Sequence, residues 1–173
     1  MPKKKNRGPT LPPRGPALSD RSFLLCFDID CGELVPGHHF VARGLSDVGQ
    51  LNRSDWDESA TDSAPVQGFA LEYELTPGVS EGHRDDFFRY LVGVSYDADV
   101  ELPWEPTDGG AIAPFVGGPS THGSRGDWPL PADARLLTFT LFGVEAGSTF
   151  TSHTPAGELV VDLETRSARW LPA

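Results

Sequence analysis

Residues 128–172 read WPLPADARLLTFTLFGVEAGSTFTSHTPAGELVVDLETRSARWLP. Leu137, Phe139 and Leu141 fall on one side of an extended chain, and Leu136, Thr138, Thr140 and Phe142 on the other. Successive strand side chains alternate, so one side is uniformly apolar and the other mixed. β-branched and aromatic residues dominate, as strands prefer. Gly143 and Gly147 bracket a turn. Leu159, Val161 and Leu163 then alternate with Glu158, Val160, Asp162 and Glu164, which predicts a half-buried strand with a mostly acidic outer side. Glu164-Thr165-Arg166-Ser167 predicts a turn into a last short strand over Ala168–Leu171. Trp170 is expected to pack at the core or its rim.

The same alternation recurs upstream. In residues 68–75, GFALEYEL, Phe69, Leu71, Tyr73 and Leu75 point toward a core, and Ala70, Glu72 and Glu74 toward water. In residues 22–30, SFLLCFDID, Phe23, Leu25 and Phe27 share one side, and Leu24, Cys26 and Asp28 the other. Residues 87–96, FFRYLVGVSY, read as a strand and not a helix, because of Gly93 and the β-branched content. His39–Arg43 predicts a strand ending at Gly44, and Ala111–Val116 a short one. Residues 45–66 read as a long acidic loop, and Gly117–Asp127 as a flexible one. With 19 glycines, 16 prolines and 38% hydrophobic residues, turns join short strands throughout. The expectation is an all-β protein: a single two-sheet antiparallel β-sandwich over residues 21–173, immunoglobulin-like or jelly-roll, with seven or eight short strands. The immunoglobulin Cys…Trp…Cys spacing is absent.

A chain of 173 residues can bury a proper core without metals or cross-links. Residues 1–20, MPKKKNRGPTLPPRGPALSD, have no periodic apolar side and read as a disordered, basic, proline-rich tail. The tail carries a net charge of +4, whereas the remainder carries −15 and has no lysine. Such a body repels phosphates, so nucleic acid is expected to bind only through the tail, where PKKKNR could meet an anionic partner. Arginine usage with abundant alanine, glycine and proline points to a GC-rich bacterial genome. No run is long and apolar enough to be a transmembrane segment, and the lysine-bearing N-terminus lacks a signal-peptide apolar region. A cytoplasmic location and no membrane contact are expected.

The strongest chemical pattern is acidic. Asp28-Ile29-Asp30 and Asp97-Ala98-Asp99 are D-x-D pairs at the ends of predicted strands. The aspartates of each pair lie on one side of an extended chain. If the two strand ends are neighbours, Asp28, Asp30, Asp97 and Asp99 converge as hard oxygen ligands of the kind Ca²⁺ needs. C2 domains resemble this in outline, without their longer loop signature and without an EF-hand loop. The competing reading is solvated strand ends in an acidic protein. Cys26 and Cys31 would lie on opposite sides of a strand, too distant to bridge, with Cys26 a small core residue and both reduced.

No catalytic residue is assigned. His38, His39, His83, His122 and His153 form no metal motif, and no nucleophile elbow, P-loop or dinucleotide fingerprint occurs. One of the adjacent His38-His39 pair joining Asp28 or Glu33 is the conceivable acid–base arrangement. Arg125-Gly126-Asp127 is read as a chance tripeptide in a chain rich in those residues.

Taken together, FALEYELTPG, SYDADVELPWE, GGPSTHGSRG, WPLPADARLLTFTLFGV and ELVVDLETRSARWLP resemble a set of uncharacterised bacterial proteins in which a WPLPP-like element precedes an apolar strand. The resemblance spans residues 68–171. It implies a β-sandwich and carries no activity. The functional expectation is a non-enzymatic protein-interaction or accessory module without a cofactor, with a protein partner whose surface is basic. The contact surfaces would be an exposed sheet edge and the acidic loops. The alternative is a Ca²⁺-dependent C2-like binding domain using the paired D-x-D loops, and the third reading is an enzyme of unrecognised type.

Overall fold

A computed structural model of the chain describes residues 22–52, 65–77, 90–103, 111–112, 121–145 and 154–173. In chain order the strands are β1 (Phe23–Asp30), β2 (His39–Leu51), β3 (Val66–Thr76), β4 (Tyr90–Ala98), β5 (Ala111–Ile112), β6 (Thr121–Leu130), β7 (Leu136–Glu145), β8 (Gly157–Asp162) and β9 (Ser167–Pro172). They form two antiparallel sheets, one ordered β1-β2-β3-β6 and the other β5-β4-β7-β8-β9. The protein is therefore an all-β, two-sheet sandwich, with nine strands among the described residues where the sequence predicts seven or eight.

Alternation explains the core. Phe69, Leu71, Tyr73 and Leu75 of β3 are buried toward the other sheet, and Leu137, Phe139 and Leu141 of β7 meet them. Four rings tie the sheets together. Phe69 of β3 stands edge-on to Tyr96 of β4, with centroids 5.1 Å apart. Tyr96 stacks on Trp128 of β6 at 5.3 Å, and Trp128 leans on Phe139 of β7 at 5.5 Å. Such pairs contribute about 0.5–1.5 kcal/mol each beyond the area they bury. Tyr96 Oη donates to the Pro129 carbonyl at 3.0 Å, so its buried hydroxyl is satisfied. The WPLP element is thus a core anchor.

Several expectations change. The predicted strand at His39 does not stop at Gly44 but continues to Leu51. Gly44 (φ 151°) lies between register shifts and against the Leu25 carbonyl, where a Cβ has no room. The glycine is thus a bulge inside the strand. Residues 53–64 of the expected acidic loop lie outside the described residues, as do 1–21 and 87–89. Part of the expected loop Gly117–Asp127 is strand β6, paired with β3 from Gln67↔Leu130 to Leu75↔Thr121. Its glycines leave space for rings: a Cβ on Gly123 would run into the Tyr73 ring, and one on Gly126 into Trp128.

Two side-chain expectations are corrected. Glu72 and Glu74 do not face water; they are 2% and 3% exposed, and every residue from Gly68 to Leu75 is buried. Central β3 has neighbours on both edges, and polar side chains of sheet 1 gather around the two carboxylates. Cys26 is exposed and not the small core residue expected, Cys31 is the buried thiol, and neither forms a disulfide. Cys26 sits on the outer side of β1 with Asp28, whereas Cys31 follows the strand and folds under it. There its Sγ lies 3.7 Å from the Ile29 carbonyl.

Candidate functional site

The registers place the two D-x-D pairs at opposite ends of the sandwich. Asp30 ends β1 beside Val41 and near the start of β2, and His39 of β2 pairs with Thr76 at the end of β3. Asp97 and Ala98 end β4 opposite Thr138 and Leu137 at the start of β7. That start follows directly on the end of β6, which pairs with the start of β3. Asp28 and Asp30 therefore lie at the far end, and Asp97 and Asp99 at the entry end where β1 begins. At ~3.3 Å per residue they are separated by about a strand length. Among the described residues, no group of three or more His, Cys, Asp or Glu side chains is arranged to hold a metal ion.

Each aspartate with a described bond has its own partner. Asp28 Oδ1 accepts from Arg43 Nη1 at 2.6 Å. Asp30 Oδ1 accepts from the Gly32 N–H at 2.8 Å, and His39 Nδ1 lies 3.3 Å from it. Asp99 Oδ1 accepts from the Arg135 N–H at 2.9 Å, and this bond, with that from the Leu136 N–H, holds its carboxyl below the usual range. His38 Nδ1 lies 2.7 Å from the Pro77 carbonyl, so the two adjacent histidines face different partners. His83 and His153 lie outside the described residues.

A polar cluster absent from the sequence reading crosses the outer side of sheet 1. Arg43 of β2 bridges Asp28 of β1 and Glu74 of β3, with Nη2 3.1 Å from Glu74 Oε2. Ser46 Oγ donates to Glu72 Oε2 at 2.7 Å, and Thr76 Oγ1 to Glu74 Oε1 at 3.1 Å. The Arg43 and Glu74 side chains are 15% and 5% exposed. Burying a charged group is costly unless it is paired and hydrogen-bonded. The i, i+2 spacing of Glu72 and Glu74 was visible in the sequence, but their burial was not.

At the entry end a cleft of about 660 Å³ opens between the sheets. Leu25, Leu45, Val66 and Leu130 are among its apolar walls, and Arg135, Glu164 and Arg166 are among its polar ones. Arg135 and Glu164 are 4.0 Å apart and both mostly exposed, so this pair contributes little. No histidine or thiol lines the cleft among the described residues.

The four sheet edges differ. β5 has two residues. The β1 ladder is broken by two register shifts. β6 carries a register shift and Pro129, with Gly126 and Asp127 at φ 132° and 135°. Among the described residues, β9 alone continues without interruption, from Asp162↔Ser167 to Gly157↔Pro172. The Ala173 N–H donates to the Ala156 carbonyl at 2.9 Å, and the Leu163 N–H to the Arg135 carbonyl at 2.8 Å. Backbone bonding alternates along antiparallel strands. Ser167, Arg169 and Leu171 therefore bond to β8, whereas Ala168 and Trp170 aim N–H and C=O away from it. Pro172 offers a carbonyl there but no N–H. Leu171, at 41%, is the exposed large hydrophobic among the described residues.

No family model matches the chain, and no curated protein or solved structure matches it either.

Proposed function

We propose that this protein is a non-enzymatic interaction module that takes up an extended segment of a partner protein as a sixth strand of the β5-β4-β7-β8-β9 sheet. The observation that carries this reading is the β9 edge: a bulge-free strand with outward backbone groups at Ala168 and Trp170, next to exposed Leu171. A regular strand edge is a template for strand addition, and natural edges are usually blunted by bulges, prolines or brevity. Among the described residues the other three edges are blunted in these ways. In this reading the module works in the cytoplasm without a bound cofactor, and its acidic body, with a chain net charge of −11, suits a partner whose wider surface is basic. No helix among the described residues is long and apolar enough to cross a membrane.

The test uses the isotope-labelled full chain and the extended peptide Thr-Leu-Val-Glu-Val-Thr. Binding should shift the amide resonances of Ala168 and Trp170 ahead of those on β1, β5 and β6. Ala168→Pro removes an outward N–H while leaving the bonds to β8. It should abolish binding with little change in thermal stability. Shifts confined to another edge, or binding untouched by Ala168→Pro, would sink the proposal.

A further inference from the structure

We infer that the β9 edge is selective: it accepts, antiparallel, a segment with an apolar residue followed two positions later by an acidic one, and it rejects a second copy of β9. This rests on the strand-addition reading above and deepens it. Antiparallel addition is favoured because antiparallel ladders are slightly more stable per residue. Arg169 and Leu171 bond through their backbone to β8, so they face an added antiparallel strand as non-hydrogen-bonded pairs. In such pairs the Cα atoms approach to ~4.5 Å and the side chains lie closest.

The charge at this edge is positive, although the chain as a whole is acidic. Arg169 is exposed, and its side chain forms no ion pair or hydrogen bond among the described residues. Arg166, next along, reaches the Leu24 carbonyl with Nη2 at 3.1 Å and closes the β1–β9 seam at the entry end. Thr165–Pro172 contains no carboxylate side chain. The acids of β8, Glu158 and Asp162, are one strand further from the incoming segment, a spacing of ~4.8 Å. An acidic residue opposite Arg169 therefore meets a guanidinium, and a lysine meets like charge. Opposite Leu171, an apolar residue covers its exposed side chain.

Self-pairing meets an obstacle in each antiparallel register. Pairing Ala168 with Trp170 of a second copy sets the two Arg169 side chains opposite each other. Sliding toward the C-terminus puts Pro172 in a bonding position, where it has no N–H to give. Sliding the other way leaves one bonded pair before the turn Leu163–Arg166.

The experiment titrates Thr-Leu-Val-Glu-Val-Thr and Thr-Leu-Val-Lys-Val-Thr into the full chain and into Arg169→Glu, following the Ala168 and Trp170 amides. The Glu peptide is expected to bind about five-fold more tightly than the Lys peptide, and Arg169→Glu to invert that order. Equal binding of both peptides, or an order that Arg169→Glu leaves unchanged, overturns the selectivity while the strand-addition reading stands. Absence of binding by either peptide overturns both. Sedimentation velocity is expected to show one monomeric species. A dimer dissolved by Ala168→Pro would identify a second copy as the occupant and overturn the inference.

Discussion

Arg43 shows how one residue organises a face of this protein. Its guanidinium spans three strands, from Asp28 on β1 to Glu74 on β3. The Asp28 end is 41% exposed, so solvent screens it and that bond contributes little. The Glu74 end is nearly dry and matters more. Arg43→Met leaves Glu74 without its guanidinium and should cost about 3 kcal/mol in denaturant unfolding, whereas Arg43→Met with Glu74→Leu should recover most of it. The thiols make a second prediction. Burial pushes the Cys31 thiol from 9.0 up to about 12, with Asp30 adding to the rise and a hydrogen bond with the Ala42 backbone opposing it. An aromatic disulfide reagent should therefore modify Cys26 in the native protein and Cys31 only on unfolding. Above pH 9 the unfolded chain releases a proton that the folded chain retains. This group's contribution to stability is thus intact below pH 9 and lost as pH rises toward 12.

Among the elements, β6 is the instructive one. Its sequence, THGSRGDWPL, lacks the apolar alternation that announces a strand, and at Gly123 and Gly126 the rings of Tyr73 and Trp128 lie where a Cβ would stand. Gly123→Ala places a methyl against the Tyr73 ring, which is locked by stacking on Phe40 at 5.2 Å. The substitution should cost about 1–3 kcal/mol in chemical denaturation, the range for overpacked sites. The β8–β9 hairpin carries its own pH signal. Asp162 Oδ1 accepts from the N–H groups of Thr165 and Glu164, both at 2.9 Å, which lowers its carboxyl below the ordinary 3.8. Its contribution is present above that value and lost as pH falls through the lowered one. Asp162→Asn should accordingly flatten the acid limb of the stability profile while leaving neutral-pH binding at β9 in place.

At the scale of the molecule, the sheet registers keep the two acidic strand ends apart. Millimolar Ca²⁺ against EDTA is therefore expected to move the melting temperature by less than about 1 °C. A rise of several degrees that Asp97→Asn with Asp99→Asn removes would place a cation at the entry end instead. The same registers leave β9 as the regular edge and bring Arg166 over to β1, which positions the candidate site.

Much of this was legible in the chain. Alternation over 68–75, 136–142 and 158–163 is a local property, and it determined the strands, the side each turns inward, and the all-β class. The same local reading placed Ala168–Leu171 as the closing strand and Trp170 at the core or its rim; it packs half-buried at the rim. Only the tertiary structure decided that Glu72 and Glu74 are buried, that Gly44 is a bulge and not an end, that Gly123 and Gly126 sit in a strand, and that Asp28 and Asp97 never meet. Each of these depends on which strand lies beside which. That depends on contacts between residues far apart in the sequence, which the period of a single segment does not encode.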